Sequence, residues 1–131
     1  MDARRVVAVQ PAGGVGESAG PGSGYVVAPR LVLTAAHAAP AVGERVAVFG
    51  AGEPAACTGV VAWRGSPGGR DDAALVEVGD PGWRPREGGA VRWGRVVTNR
   101  PGIPCEAWGF PALVQREGRA AETASRSVVR S

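Results

Sequence analysis

Two short stretches of this chain combine residue types that could do acid–base chemistry. The first, LTAAHAAP from Leu33 to Pro40, contains His37, the only histidine in the sequence. Histidine is the side chain whose ordinary titration lies near neutral pH, so it is the most frequent general base. The second stretch is the pair Asp71 and Asp72, which directly precedes an apolar run. A carboxylate at the edge of a buried strand needs a partner, and a histidine N–H is a suitable one.

Each stretch also has a purely structural interpretation. A single histidine at a strand end is often just a hydrogen-bonded structural residue. Aspartate is common in solvated turns before strands, and this is the interpretation we favour for Asp71. Taken separately, the two stretches therefore leave open whether they belong to one site.

The elements that must position these residues are short strands. Apolar runs bounded by Gly or Pro predict strands over residues 5–9, 24–28, 31–34, 45–49, 57–63, 73–78, 90–93 and 105–108. Pro29-Arg30 is expected to form the turn of a hairpin, and residues 13–22 and 64–70 are expected to form loops. Without a long helical period, this spacing predicts an all-β sandwich or barrel. We interpret the 21 Gly and 11 Pro as turn residues, because they lie between the apolar runs.

The composition limits the class of protein. A chain of 131 residues is expected to form one domain, and 44% hydrophobic residues argue against a disordered chain. The net charge is +3, and all the basic residues are Arg. These arginines are scattered, with no basic block and no aromatic residues between them, so no nucleic-acid partner is predicted. A basic nucleic-acid-binding barrel stays as an alternative hypothesis to test.

The sequence predicts neither a cofactor nor a metal site. One histidine and two distant cysteines, Cys57 and Cys105, do not form a C-x-x-C pair or a disulfide framework, and both are expected to be buried thiols. The first ten residues lack a signal-like apolar segment, and no run is long enough to span a membrane. A cytoplasmic location without a membrane partner is the expectation.

Taken together, the motifs resemble those of the trypsin-like (chymotrypsin-fold) serine peptidases of bacterial type. GSGYVVAPRLVLTAAHAAP is similar to the segment of that family that ends in T-A-A-H, and Asp72-Ala73-Ala74-Leu75-Val76 is similar to its D-φ-A-L-φ segment, in which φ is apolar. The run CEAWGFP from Cys105 looks like the family's G-F-P strand. The resemblance covers roughly residues 5–115. It implies that His37 is the general base and that Asp72, which alone has the D-x-A-L register, orients it.

The resemblance also implies a fold, which is a six- to seven-stranded antiparallel Greek-key β-barrel over residues 1–117. This would be the first barrel of the family fold, with the second barrel absent. Residues 118–131 are expected to be a disordered or truncated tail, as a truncated or frameshifted gene product would have.

The family's nucleophile is not found in this chain. Of the six serines, only Ser23 is followed by Gly, and Gly22-Ser23-Gly24 precedes the histidine instead of forming a G-x-S-G turn after the aspartate. We therefore expect the chain to be inactive alone and to act on peptide or protein substrates only if a second barrel completes it. The alternative is a non-catalytic barrel that binds a protein partner or a separately encoded second half. The face that carries the site is expected to expose apolar surface and to favour self-association or marginal stability.

Overall fold

The computed structural model describes residues 2–12, 21–53, 55–95, 97, 99–102, 105–109 and 125–129. Within these ranges the chain forms eight strands: β1 Val6–Pro11, β2 Gly22–Ala28, β3 Leu31–Thr34, β4 Arg45–Gly50, β5 Cys57–Arg64, β6 Ala74–Glu77, β7 Cys105–Gly109 and β8 Ser125–Val129. Two single 3₁₀ turns, Ala3–Arg5 and Ala36–Ala38, are the only helical elements of the described residues. None of the helical segments in these ranges is long and apolar enough to cross a membrane.

The first six strands form a closed antiparallel barrel, which confirms the prediction of an all-β barrel. Their order around the barrel is β1-β2-β3-β6-β5-β4. Strands β4, β5 and β6 follow one another as hairpins, and β6 then pairs with the earlier strand β3, which is Greek-key connectivity. Strands β7 and β8 form a separate two-stranded sheet. Closure leaves no free strand edge in the barrel.

The barrel interior is filled almost entirely by valine. Along each strand every second side chain faces inward, which is the period-two pattern of a half-buried strand. Among the residues whose side chains are described, nine valines are fully buried: Val7, Val9, Val26, Val32, Val46, Val48, Val61, Val76 and Val78. Two inward positions hold glycine, because a Cβ at Gly24 or Gly59 would overlap the valines packed against it. Small residues facing large ones let a narrow barrel fill its centre without voids.

The outer side of β1 is covered as well. Val6 and Ala8 are buried there and pack with the half-buried Tyr25 and Phe49. Strand β7 lies against β1. The first strand is therefore apolar on both faces, which explains why its sequence, VVAV, shows no alternation.

The two ends of the barrel differ. At the end where β3 begins, Trp83 is buried, and its indole N–H donates to the carbonyl of Pro29 at 2.8 Å. The guanidinium of Arg86 lies over the Trp83 ring, 4.9 Å from its centre, and pairs with Glu53. The end where β3 stops carries the turn with His37 and the loop with Asp72.

Most of the strand predictions are confirmed, including the hairpin turn at Pro29-Arg30. Residues 90–93 are an exception, since they form no strand, and the N–H of Val91 donates to the carbonyl of Val27. Trp93 in this segment is 74% exposed, so the segment has neither the ladder nor the burial that a strand needs. In the region expected to be a tail, Ser125–Val129 form β8, because β7 offers an edge with which they pair. The rest of 118–131, and residues 13–20 of the predicted loop, lie outside the described residues.

The two cysteines are far apart in the sequence and differ in what is described. Cys57 begins β5 as a free, half-buried thiol, and burial raises its pKa. The expectation of a buried thiol is thus met only in part at this position, because Cys57 is the first residue of its strand and packs at the edge of the core. The side chain of Cys105 lies outside the described residues.

Candidate functional site

His37 lies in a single 3₁₀ turn that follows β3 directly. The strand ends at the buried Thr34, whose hydroxyl donates to the carbonyl of Ser23 at 2.8 Å and so fixes the strand end against β2. Ala36 and Ala39 on either side of the histidine are buried. Because these neighbours are small, the turn packs closely on the barrel while the His37 side chain stays 66% exposed.

Gly22 permits this close packing. A Cβ at Gly22 would overlap the Cβ of Ala38, the last residue of the turn. The prediction of a loop over residues 13–22 is wrong at Gly22, which is the first residue of β2. The requirement for glycine comes from a neighbour 16 residues away, and sequence periodicity carries no sign of it.

Asp72 lies in the loop that connects β5 to β6. Hydrogen bonds within the loop stabilise its conformation. The N–H of Gly65 donates to the carbonyl of Ala73 at 2.8 Å, and the N–H of Ser66 donates to the carboxylate of Asp71 at 3.2 Å. Asp71 is exposed, so its interpretation as a turn residue is confirmed. Its side chain shapes the loop that presents Asp72.

The Asp72 carboxylate contacts His37 through both of its oxygens. Oδ2 lies 2.7 Å from Nδ1 of the imidazole, and Oδ1 accepts the backbone N–H of His37 at 2.9 Å. The prediction that the two side chains lie within hydrogen-bond reach is confirmed. Two contacts from one carboxylate fix both the position and the rotation of the ring.

These contacts also set the charge of the carboxylate. The hydrogen bond from the His37 side chain, followed by those from the backbone N–H groups of His37 and Gly68, holds the pKa of Asp72 below its usual range. Donors directed at the oxygens favour the ionised form. The Asp72 side chain is only 22% exposed, so a charged acceptor is held beside the imidazole over the whole neutral range.

The arrangement determines which imidazole nitrogen can act as a base. A carboxylate accepts hydrogen bonds and does not donate them, so the neutral ring carries its proton on Nδ1. Nε2 then has the free lone pair, and it belongs to a side chain that is mostly exposed. The geometry is that of an oriented general base that can take a proton from an incoming hydroxyl.

The described residues do not give this base a nucleophile. Ser23 and Ser66 are the serines whose side chains are described, and the contact of the His37 ring in this part of the chain is with Asp72. In the same part of the chain, no three His, Cys, Asp or Glu side chains gather as a metal site would require. Ser125 and Ser127 lie in β8, where only the backbone is described.

A cleft of about 330 Å³ lies next to Asp72 on the outer side of β2 and β3. Its lining is mostly apolar and includes Tyr25, Leu33 and Ala73 beside the carboxylate. The sequence gives no sign of this cleft, because it forms where the β2–β3 hairpin meets the loop before β6, which is distant in the chain.

No model of a known protein family matches the chain, and a search of curated proteins finds no relative of it.

Proposed function

We propose that this chain provides the histidine and aspartate of a serine-peptidase site of the trypsin-like (chymotrypsin-fold) type. On this proposal, its barrel is the first of that fold's two barrels. The observation that carries the proposal is the double contact of Asp72 with the ring and the backbone N–H of His37. The Greek-key order supports it too, because the pairing of β3 with β6 brings the histidine turn next to the aspartate loop.

The chemistry assigned to the site is acyl transfer. Nε2 of His37 takes the proton of a serine hydroxyl as the hydroxyl oxygen attacks the carbonyl carbon of a peptide bond. The imidazolium that forms is stabilised by Asp72 through Nδ1–H. His37 then returns the proton to the leaving amine as the C–N bond breaks. The serine and the donors that stabilise the oxyanion are supplied by a second barrel.

The test uses a fluorophosphonate probe, which labels an activated serine covalently. The purified chain alone is expected to remain unlabelled. The chain is then added as bait to an extract of the cells it comes from, and a co-purifying chain with a G-x-S-G turn is expected to become labelled. The matched control is His37→Gln, which keeps a side chain of similar size but has no base.

The outcome depends on the comparison of the two baits. Labelling that requires His37 supports the proposal. Equal labelling with wild-type and His37→Gln bait would contradict it, because the histidine would then play no part in activating the serine. Labelling of the purified chain itself would show that the nucleophile lies in this sequence after all.

A second candidate function is a non-catalytic barrel that binds a protein partner, and one surface feature favours it. Tyr25 pairs with Leu33, Leu33 with Leu75, and Leu75 with Trp63 across four neighbouring strands. Cross-strand partners point to the same side of a sheet, so these side chains form one apolar row on the outside of the barrel. Three of them are half-buried, and Trp63 is 46% exposed.

The row ends beside the cleft at Asp72, where a protein partner or a second copy of the chain could cover both. Sedimentation velocity over a range of concentrations tests self-association through this row. Trp63→Gln is expected to shift the chain towards monomer, whereas Trp93→Gln, which changes an exposed tryptophan elsewhere, is not. Equal effects of the two substitutions would count against the row as the contact surface.

A further inference from the structure

The peptide unit that precedes His37 is held at both of its ends. Its N–H, which belongs to His37, donates to Oδ1 of Asp72 at 2.9 Å. Its carbonyl, which belongs to Ala36, accepts Nε–H of Arg64 at 3.2 Å. From these two contacts we propose that Arg64 is a positioning residue for His37, an inference that rests on the proposed function of the dyad.

The peptide bond between Ala36 and His37 is planar. Because the six atoms of the unit lie in one plane, fixing both the carbonyl oxygen and the N–H fixes the orientation of the whole plane. The plane ends at the Cα of His37, so its orientation sets the direction in which the imidazole leaves the backbone. Arg64 thus determines where the ring points without touching it.

The turn itself is too short to supply this constraint. It contains three residues, and Ala35 at its start makes no capping hydrogen bond through its side chain. Hydrogen bonds in a 3₁₀ turn have poor geometry, and the carbonyl of Ala36 is already the acceptor for the N–H of Ala39 at 3.2 Å. An outside donor at that carbonyl adds the restraint that the turn lacks.

Both partners of the peptide unit come from the same hairpin. Arg64 is the last residue of β5 and pairs with Ala74, the first residue of β6, while Asp72 lies in the loop between them. The β5–β6 hairpin therefore supplies both of the groups that bind this peptide unit. The distance from Nδ1 to the carboxylate thus depends on how this one hairpin lies against the turn.

Two substitutions separate the hydrogen bond from the charge. In Arg64→Gln, the side-chain amide nitrogen is the same number of bonds from Cα as Nε of arginine, so the variant keeps a donor and loses the charge. In Arg64→Met, a methyl group takes that position, so the donor is lost as well. Arg45→Met, which removes an exposed arginine from the start of β4, is the control for loss of a positive charge.

The measurement is amide hydrogen exchange by NMR on the purified chain. Arg64→Met is expected to speed exchange at the His37 and Ala39 amides by roughly three- to tenfold, the size of one ordinary hydrogen bond. Exchange at the barrel amides Val32 and Val76 stays unchanged. Arg64→Gln and Arg45→Met remain within about twofold of wild type at all four amides. The ¹⁵N signals of the single imidazole report in parallel, with a smaller Nδ1–H population in Arg64→Met alone.

The pattern of results decides the proposal. If Arg64→Met and Arg64→Gln give the same exchange rates, whether unchanged or raised, the directed hydrogen bond does not position the turn and the proposal is wrong. A uniform rise at all amides in Arg64→Met with none in Arg64→Gln would assign the bond a role in global stability instead, which also overturns it. The assay needs no nucleophile, so its result is independent of whether His37 activates a serine in a partner chain.

Discussion

Replacing Asp72 by Asn should reverse the position of the proton on the His37 ring. Two N–H groups donate to the Asp72 carboxylate: the ring Nδ1–H to Oδ2 and the backbone N–H of His37 to Oδ1. An Asn side chain has one oxygen and one NH₂ group in place of two oxygens. If its oxygen keeps the backbone N–H, its NH₂ faces Nδ1, which must then be an acceptor.

The expected size of the effect follows from the strength of the bond that is lost. A hydrogen bond to a charged group shifts the equilibrium between the two neutral tautomers of the ring by a factor of at least about ten. In about nine-tenths of the wild-type molecules with a neutral ring, the proton should therefore be on Nδ1. In Asp72→Asn the ratio should invert, with the proton mostly on Nε2. The nitrogen that faces outward then has no lone pair and cannot act as a base.

The assay is long-range ¹H–¹⁵N NMR of the imidazole at pH 9, above the range in which histidine ordinarily titrates. His37 is the only histidine, so one set of signals reports the tautomer without assignment. Asp71→Asn is the matched control, because that carboxylate accepts the N–H of Ser66 instead of a group on His37. A wild-type ring protonated mainly on Nε2, or an Asp72→Asn spectrum identical to wild type, would refute the reasoning.

Three further predictions concern the pH dependence of stability, the packing of the histidine turn and a buried arginine. Hydrogen bonds, chiefly from the His37 side chain to Asp72 and from the Thr58 N–H to Asp80, hold the pKa of both carboxyls low. The stability that these hydrogen bonds add is therefore complete above about pH 4, where the carboxyls are ionised in the unfolded chain as well. It is lost as the pH falls through the lower pKa values of the folded protein. The urea midpoint of unfolding should drop in that range, and the drop should be less steep in Asp80→Asn. Gly22→Ala should displace Ala38 and weaken the His37–Asp72 contact, seen as a smaller Nδ1–H population; an unchanged ring signal would argue against the packing role. Arg5→Met should lower the free energy of unfolding by about 2–4 kcal/mol in urea titrations, because the buried guanidinium donates to three carbonyls; a loss below about 1 kcal/mol would mean that water replaces it.

Local patterns were sufficient to predict the barrel strands. The run YVVA, the turn Pro29-Arg30 and the run LVLT predict a hairpin because apolar runs and turn residues act over a few residues. The same reasoning was wrong for residues 90–93. Val91 and Trp93 are typical strand residues, but this segment forms no strand. A strand needs a partner, and a local pattern does not specify one.

The sequence by itself determined that His37 follows a strand, that Asp72 precedes one, and that small residues surround the histidine. Only the tertiary structure decided that these groups meet, because the contact depends on the pairing of β3 with β6 across 35 residues of chain. It also decided the roles of Gly22 and Arg64, whose neighbours lie 16 and 28 residues away. The physical reason is that residue type and period are local properties, whereas the geometry of a site is set by strand register and close packing between distant segments.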